Sequence, residues 1–308
     1  MAHFFDRLAG AIRRCKTAVL VGLDPRFEQL PGALRAEASC EDTVAVANCY
    51  RMFCCEVIDV VAPWVPAVKP QAAFFEEIGP PGMAALADVI AHARRQGLFV
   101  ILDAKRNDIG STAIAYANAY LGRRSVWGTD ALTVSPYLGD DSLQPFVDVA
   151  QQQGAGVFVL VKTSNPGGKR FQDLLAGSRP LYEHVAGYVE QLAKQSAGRD
   201  GYGVVGAVVG ATYPEQLSEL RSRMPHSWFL VPGFGAQGGS AADVAGAFDE
   251  RGLGALVNNS RGIIFAHSLP AYRHFGEQRW QQAVEAATRD MIAELSAATP
   301  AGKLTSSG

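Results

Sequence analysis

No part of this chain is apolar for long enough to cross a bilayer. The longest apolar stretch, Val57 to Val68, is interrupted by Asp59 and two prolines, whereas a spanning helix needs about 20 apolar residues. The opening residues MAHFFDRLAGAIRRC hold neither an uninterrupted apolar core nor a small-residue cleavage pattern, so no signal peptide is expected. Cysteine is scarce. Cys15, Cys40, Cys49, Cys54 and Cys55 are odd in number and form no C-x-x-C. That excludes a disulfide framework and fits reduced thiols in a cytoplasmic protein. The six histidines form no H-x-x-x-H pair and no cluster with cysteine, which argues against a metal site of the zinc type. A dominant charge is missing too: a net charge of −2 leaves no electrostatic footprint for nucleic acid or an anionic membrane.

What is present is an ordinary globular composition, 48% hydrophobic and 19% charged with 32 glycines over 308 residues. Eight short β-branched or apolar runs recur, beginning near Ala18, Trp64, Leu98, Asp130, Gly156, Gly203, Trp228 and Gly254. Between them lie mostly amphipathic segments, such as Asp42 to Val61 and Pro81 to Gln96. Near-continuous apolar strands alternating with helices predict a parallel sheet covered on both faces. Eight such units in roughly 250 residues predict an α/β fold, a TIM (β/α)8 barrel, rather than an open doubly wound sheet. Extra helices are expected at Phe4 to Arg14 and Gln278 to Ala297. With no compositional break, residues 1–298 read as one domain. The small, polar residues 299–308 read as a disordered tail.

The most informative stretch is LFVILDAKRNDIGST, Leu98 to Thr112. Five apolar residues end abruptly in Asp103, Lys105, Arg106 and Asp108, a costly change unless the charges pair or bind a ligand. Catalytic groups of TIM barrels sit at the C-terminal ends of strands. Asp103 and Lys105, two apart, share a face if the strand continues, and an ammonium held between carboxylates keeps its proton. Other strands also end in polar groups: Asp24 in VGLDP, Lys69 in AVKPQ and Ser164 in VKTSNPGG. The seventh run leads into PGFGAQGG, whose Gly233, Gly235 and Gly238 mimic a dinucleotide-binding fingerprint. That motif belongs on the first strand of its unit, so a phosphate-facing glycine turn is the better reading. Gln237 can add an amide donor, and Arg261 in NNSRGI a cation on the neighbouring loop. NPGGKR is not a Walker A loop, because the first Gly and the Ser/Thr after Lys are missing.

DAKRNDIGSTA, VGLDP, VKPQ, PGFGAQGG and NSRG occur in an order that resembles orotidine 5′-phosphate decarboxylases of the longer bacterial branch, over roughly Phe4 to Ala266. The resemblance implies a TIM-barrel homodimer that converts orotidine 5′-phosphate to UMP without metal or other cofactor. It makes Lys69, Asp103, Lys105 and Asp108 the catalytic charge network, with Lys105 stabilising and protonating the C6 carbanion. Asp24 and Lys69 would hold ribose hydroxyls, Ser164 the pyrimidine, and Gln237 with Arg261 the phosphate beside Gly235. Asp108 and Thr112 would reach into the partner subunit's site. Asn107 stands where this branch carries Gly, and Asn tolerates positive φ. Phe27 to Glu41 resembles an insertion without a functional reading. The nearest rivals are the Mg²⁺-dependent 3-keto-L-gulonate 6-phosphate decarboxylase and hexulose-phosphate synthase, which would place an acidic metal ligand where this chain has Lys69. A catalytically silent nucleotide-binding barrel would be expected to lose one of the four charged residues, and none is lost.

Overall fold

The computed structural model describes residues 4–36, 38–235 and 238–306. Eight strands form a closed parallel barrel: β1 (Val19–Leu23), β2 (Ala67–Pro70), β3 (Phe99–Arg106), β4 (Ala131–Val134), β5 (Gly156–Lys162), β6 (Val205–Val209), β7 (Phe229–Val231) and β8 (Ala255–Asn259). Neighbours in sequence are neighbours in space, and β1 closes the ring by pairing with both β2 and β8. Every residue of β1, β2, β4, β6, β7 and β8 is buried. This is why the strands read as unbroken apolar runs rather than alternating ones.

The helices follow their sequence signals. Asp42 caps the helix Thr43–Val61 by accepting hydrogen bonds from the Val44 and Ala45 amides at 2.9 and 3.1 Å. The helix Gly79–Arg95 begins with proline, whose fixed φ suits the first turn, and ends in His92, Arg94 and Arg95, which match the dipole at that end. The leading helix α1 (Phe4–Cys15) closes the N-terminal end of the barrel. Its Phe5 ring packs edge-on to Phe158 and stacked on Trp228, with centroids 5.3 and 5.8 Å away. Arg7 reaches the buried Asp130 carboxylate at 3.6 Å, and Asp6 accepts from the Arg199 and Asp200 amides. With that end sealed, the opposite mouth is left for ligands.

The expected disordered tail is corrected through Ser306. Thr299 accepts from the Ala301 amide at 3.1 Å and opens a 3₁₀ turn, Pro300–Gly302, followed by a helical turn, Lys303–Ser306. Ala301 and Leu304 are both buried, and Lys303 Nζ donates to the Glu250 carbonyl. Two buried apolar anchors suffice to order a segment whose composition is otherwise small and polar.

Candidate active site

The barrel mouth holds a cavity of about 290 Å³, lined among others by Asp24, Lys69, Asp103, Lys105, Ser164 and Arg261. At its floor Asp103 lies between two ammonium groups. Lys69 Nζ donates to Asp103 Oδ2 at 2.8 Å and Lys105 Nζ to Asp103 Oδ1 at 2.6 Å. Lys69 and Asp103 are 4% and 8% exposed, so this pair is desolvated, whereas the Lys105 side chain is about half exposed to the cavity side. Burial alone would raise the Asp103 carboxyl, but the Lys69 and Lys105 charges outweigh it and hold the group well below the usual carboxylate range. Burial likewise works against the Lys69 ammonium, and Asp103 with Asp24 more than offsets it, so its pKa is raised. Both members of the buried pair stay ionised.

Local backbone shape aims these groups. The β3–β4 ladder runs through Leu102↔Leu132 and resumes only at Arg106↔Val134. Asp103, Ala104 and Lys105 are therefore opposed by a single residue, Thr133, and Lys105 adopts a left-handed φ of +48°. That conformation is costly for a side-chain-bearing residue and needs local support. Thr133 supplies it: its hydroxyl accepts from the Ala104 and Lys105 amides at 3.1 and 2.9 Å and donates to Asp103 Oδ1 at 3.0 Å. Across the floor, a side chain at Gly22 would place its Cβ 1.7 Å from Ser260 Oγ, so only glycine lets β1 approach the Ser260–Arg261 turn.

Asp24 Oδ1 and Asn258 Oδ1, on residues lining the cavity, have no hydrogen-bond partner among the described residues and are shielded from solvent. They suit a ligand that donates hydroxyl or amide protons. At the other end Arg261 begins a short helical turn and is the cation on that side of the cavity lining. It also borders a second depression of about 910 Å³, walled by Glu28, Leu30 and Arg35. Glu28, Gln29, Leu30 and Arg35 of the insertion-like stretch thus lie on the Arg261 side of the site. Among the described residues no group of three or more His, Cys, Asp and Glu is arranged to hold a metal ion.

A family model described as orotidine 5′-phosphate decarboxylase / HUMPS matches residues 20–272. The chain belongs to this family. It is 58% identical over 300 residues to the orotidine 5′-phosphate decarboxylase of Rhodopirellula baltica, covering 96% of this chain and 99% of that one. The Deinococcus radiodurans orotidine 5′-phosphate decarboxylase is 44% identical over 255 residues, 82% of this chain and 86% of that one. The structure of Leishmania donovani OMP decarboxylase superposes with a TM-score of 0.73 at 36% identity, covering 96% of this chain and 98% of that one.

Of the family residues expected from sequence, Asp24, Lys69, Asp103, Lys105, Ser164 and Arg261 converge on one cavity. Asp108 and Thr112 do not line it; Asp108 accepts from the Ile109 amide and Thr112 lies exposed on the helix Gly110–Tyr120. Gln237 falls outside the described residues. Gly235 borders the second depression, and three amides of the described part of the glycine turn have backbone partners. The Gly235 amide donates to Gly239 O, the Gly238 amide to Gly235 O and the Gly239 amide to Gly233 O. The Gly235 and Gly239 bonds make Phe234 and Gly239 an isolated parallel bridge. The following helical turn is self-capped, Ser240 and Asp243 forming a capping box. Sequence reasoning missed Thr133 and Asn258. A threonine amid an apolar strand next to the charged one, and the doubled Asn before Ser260, were the available signals.

Proposed function

We propose that this chain decarboxylates orotidine 5′-phosphate to UMP, the last step of de novo pyrimidine nucleotide synthesis, in the cytoplasm. The observation that carries the reading is the Lys69–Asp103–Lys105 chain at the mouth of a barrel of this family. The C6–carboxylate bond breaks, CO2 departs, and the electron pair stays on C6 as a vinyl carbanion. Lys105, fixed at 2.6 Å from Asp103, places a positive charge beside that carbon and then gives C6 a proton. Its exposed side regains a proton from solvent. Asp103 holds both lysines in place, and its charge stands near the departing carboxylate.

Asp24 and Lys69 hold the ribose hydroxyls, with Asp24 Oδ1 an unused acceptor. Ser164 meets the pyrimidine, and Arg261 with Gln237 meets the phosphate beside the Gly235 backbone. Phosphate binding far from the reacting carbon serves orientation. The enzyme works as a homodimer with shared sites, Asp108 and Thr112 being contributed across the interface. Support comes from their position outside their own cavity, next to the exposed apolar side chains Ile109 and Ile114. No metal, nucleic acid or membrane is required; Lys69, a cation, occupies the strand end where a Mg²⁺-binding relative would need an acid. The test is UMP release from orotidine 5′-phosphate by protein dialysed against EDTA. Undiminished turnover is expected. Failure on this substrate, with Mg²⁺-dependent decarboxylation of 3-keto-L-gulonate 6-phosphate instead, would overturn the reading.

A further inference from the structure

We infer that Thr133, a β4 residue facing the catalytic network, is a positioning residue for the decarboxylation: its hydroxyl pins the bulge that presents Lys105 and fixes the orientation of Asp103. The inference rests on the proposed role of Lys105 as the acid. A hydroxyl offers two lone pairs and one proton, and here all three are used toward three consecutive residues of β3. Thr133 is 1% exposed, so water has no ready access to replace it. In a regular parallel ladder successive amides alternate between the two neighbouring strands, so one of the Ala104 and Lys105 amides would find a carbonyl on β4 and the other would face β2. The jump in register from Leu102 to Arg106 removes that option, and the hydroxyl accepts both amides instead. The same atom grips the carboxylate that both lysines share. One oxygen therefore sets the backbone of Lys105, at φ +48°, and the position of its partner. Threonine suits the task because β-branching leaves its χ1 few options.

Arg106 supports the bulge from the far side without replacing the hydroxyl. Its guanidinium donates to the Ala104 carbonyl and pairs with Glu76, and it lies over the Tyr116 and Tyr120 rings at 5.7 Å from each centroid. None of these contacts supplies the acceptor that the Ala104 and Lys105 amides require. The bulge would persist as a loop without Thr133, but its aim would not.

The experiment compares Thr133→Val, which keeps the shape and removes the hydroxyl, with Thr133→Ser, which keeps the hydroxyl. Misplacing a catalytic group by about 1 Å costs on the order of 100-fold in rate. Thr133→Val should therefore lower kcat by about that factor while UMP affinity changes less than about threefold. Thr133→Ser should stay within about fivefold of the parent kcat. Crystal structures should show Lys105 leaving the left-handed region in the valine variant and retaining it in the serine variant. If Thr133→Val does not fold, Thr133→Ala is measured in its place with the same expected split. Three results overturn the proposal: a valine variant within threefold of the parent rate, a serine variant as impaired as valine, or equal losses of kcat and UMP affinity. A parent protein that releases no UMP would refute the proposed function instead, and the backbone at Lys105 in the valine variant would still decide the pin.

Discussion

Replacing Asp103 by asparagine keeps its shape and removes one charge from a buried pair, which makes the Lys69–Asp103 contact measurable. At 2.8 Å and an effective dielectric of about 20, the gross attraction is roughly 6 kcal/mol. Desolvation of both groups returns much of that, so the pair's net coupling should be about 2–3 kcal/mol. The two single losses should differ. Asp103→Asn leaves the Lys69 ammonium, with a side chain 5% exposed, facing Asp24 as its remaining carboxylate among the described residues, and should cost about 3–5 kcal/mol. Lys69→Met leaves Asp103 its bonds to Lys105 and Thr133, and should cost roughly 1–2 kcal/mol. Urea unfolding of the parent, both single variants and the double variant gives the cycle. Costs that add to within about 0.5 kcal/mol would refute a coupled buried pair. A pH series checks the sign. The Asp103 carboxyl is lower in the folded than in the unfolded chain, so its contribution is present above the ordinary carboxylate value near 4 and fades as pH falls below it. The stability gap between parent and Asp103→Asn should narrow on acidification; a gap that widens would show that Asp103 is not held ionised.

Arg261→Ala should weaken both UMP binding and kcat/KM on the nucleotide by about 2–5 kcal/mol, and should leave the phosphate-free nucleoside orotidine nearly unaffected; equal losses on both would assign Arg261 to the fold. Mixing inactive Lys105→Ala and Asp108→Ala proteins under subunit exchange should return about a quarter of the parent activity, because random exchange makes about half the dimers hybrids, each with one intact site if sites act independently. An inactive mixture with exchange proven by mass spectrometry would place Asp108 in its own chain's site.

Charge at the end of an apolar run is conspicuous in a sequence, and that made Asp24, Lys69, Asp103 and Lys105 legible. The barrel was legible for a related reason, since strands buried on both faces cannot alternate. Thr133 escaped because threonine is also an ordinary strand residue. Its importance comes from pairing with residues some 30 positions away, which leaves no local mark. The glycine turn was legible as a turn, but the Phe234–Gly239 bridge was not, because it joins residues five apart with no pattern in sequence to mark it. The order in the tail hangs on Ala301 and Leu304, too few apolar positions to make a period.

The plug at the closed end of the barrel has a consequence for synthesis. Phe5 leaves the ribosome more than 200 residues ahead of Trp228, against which it stacks. At about 5–20 residues per second, its ring waits roughly 11–45 s for that partner. β1 waits longer still, for Val257 to Asn259 to complete the ring. Phe4 meets Phe99 and Phe5 meets Phe158 before that, so the plug is among the earliest parts of the chain made and among the last to gain all its partners.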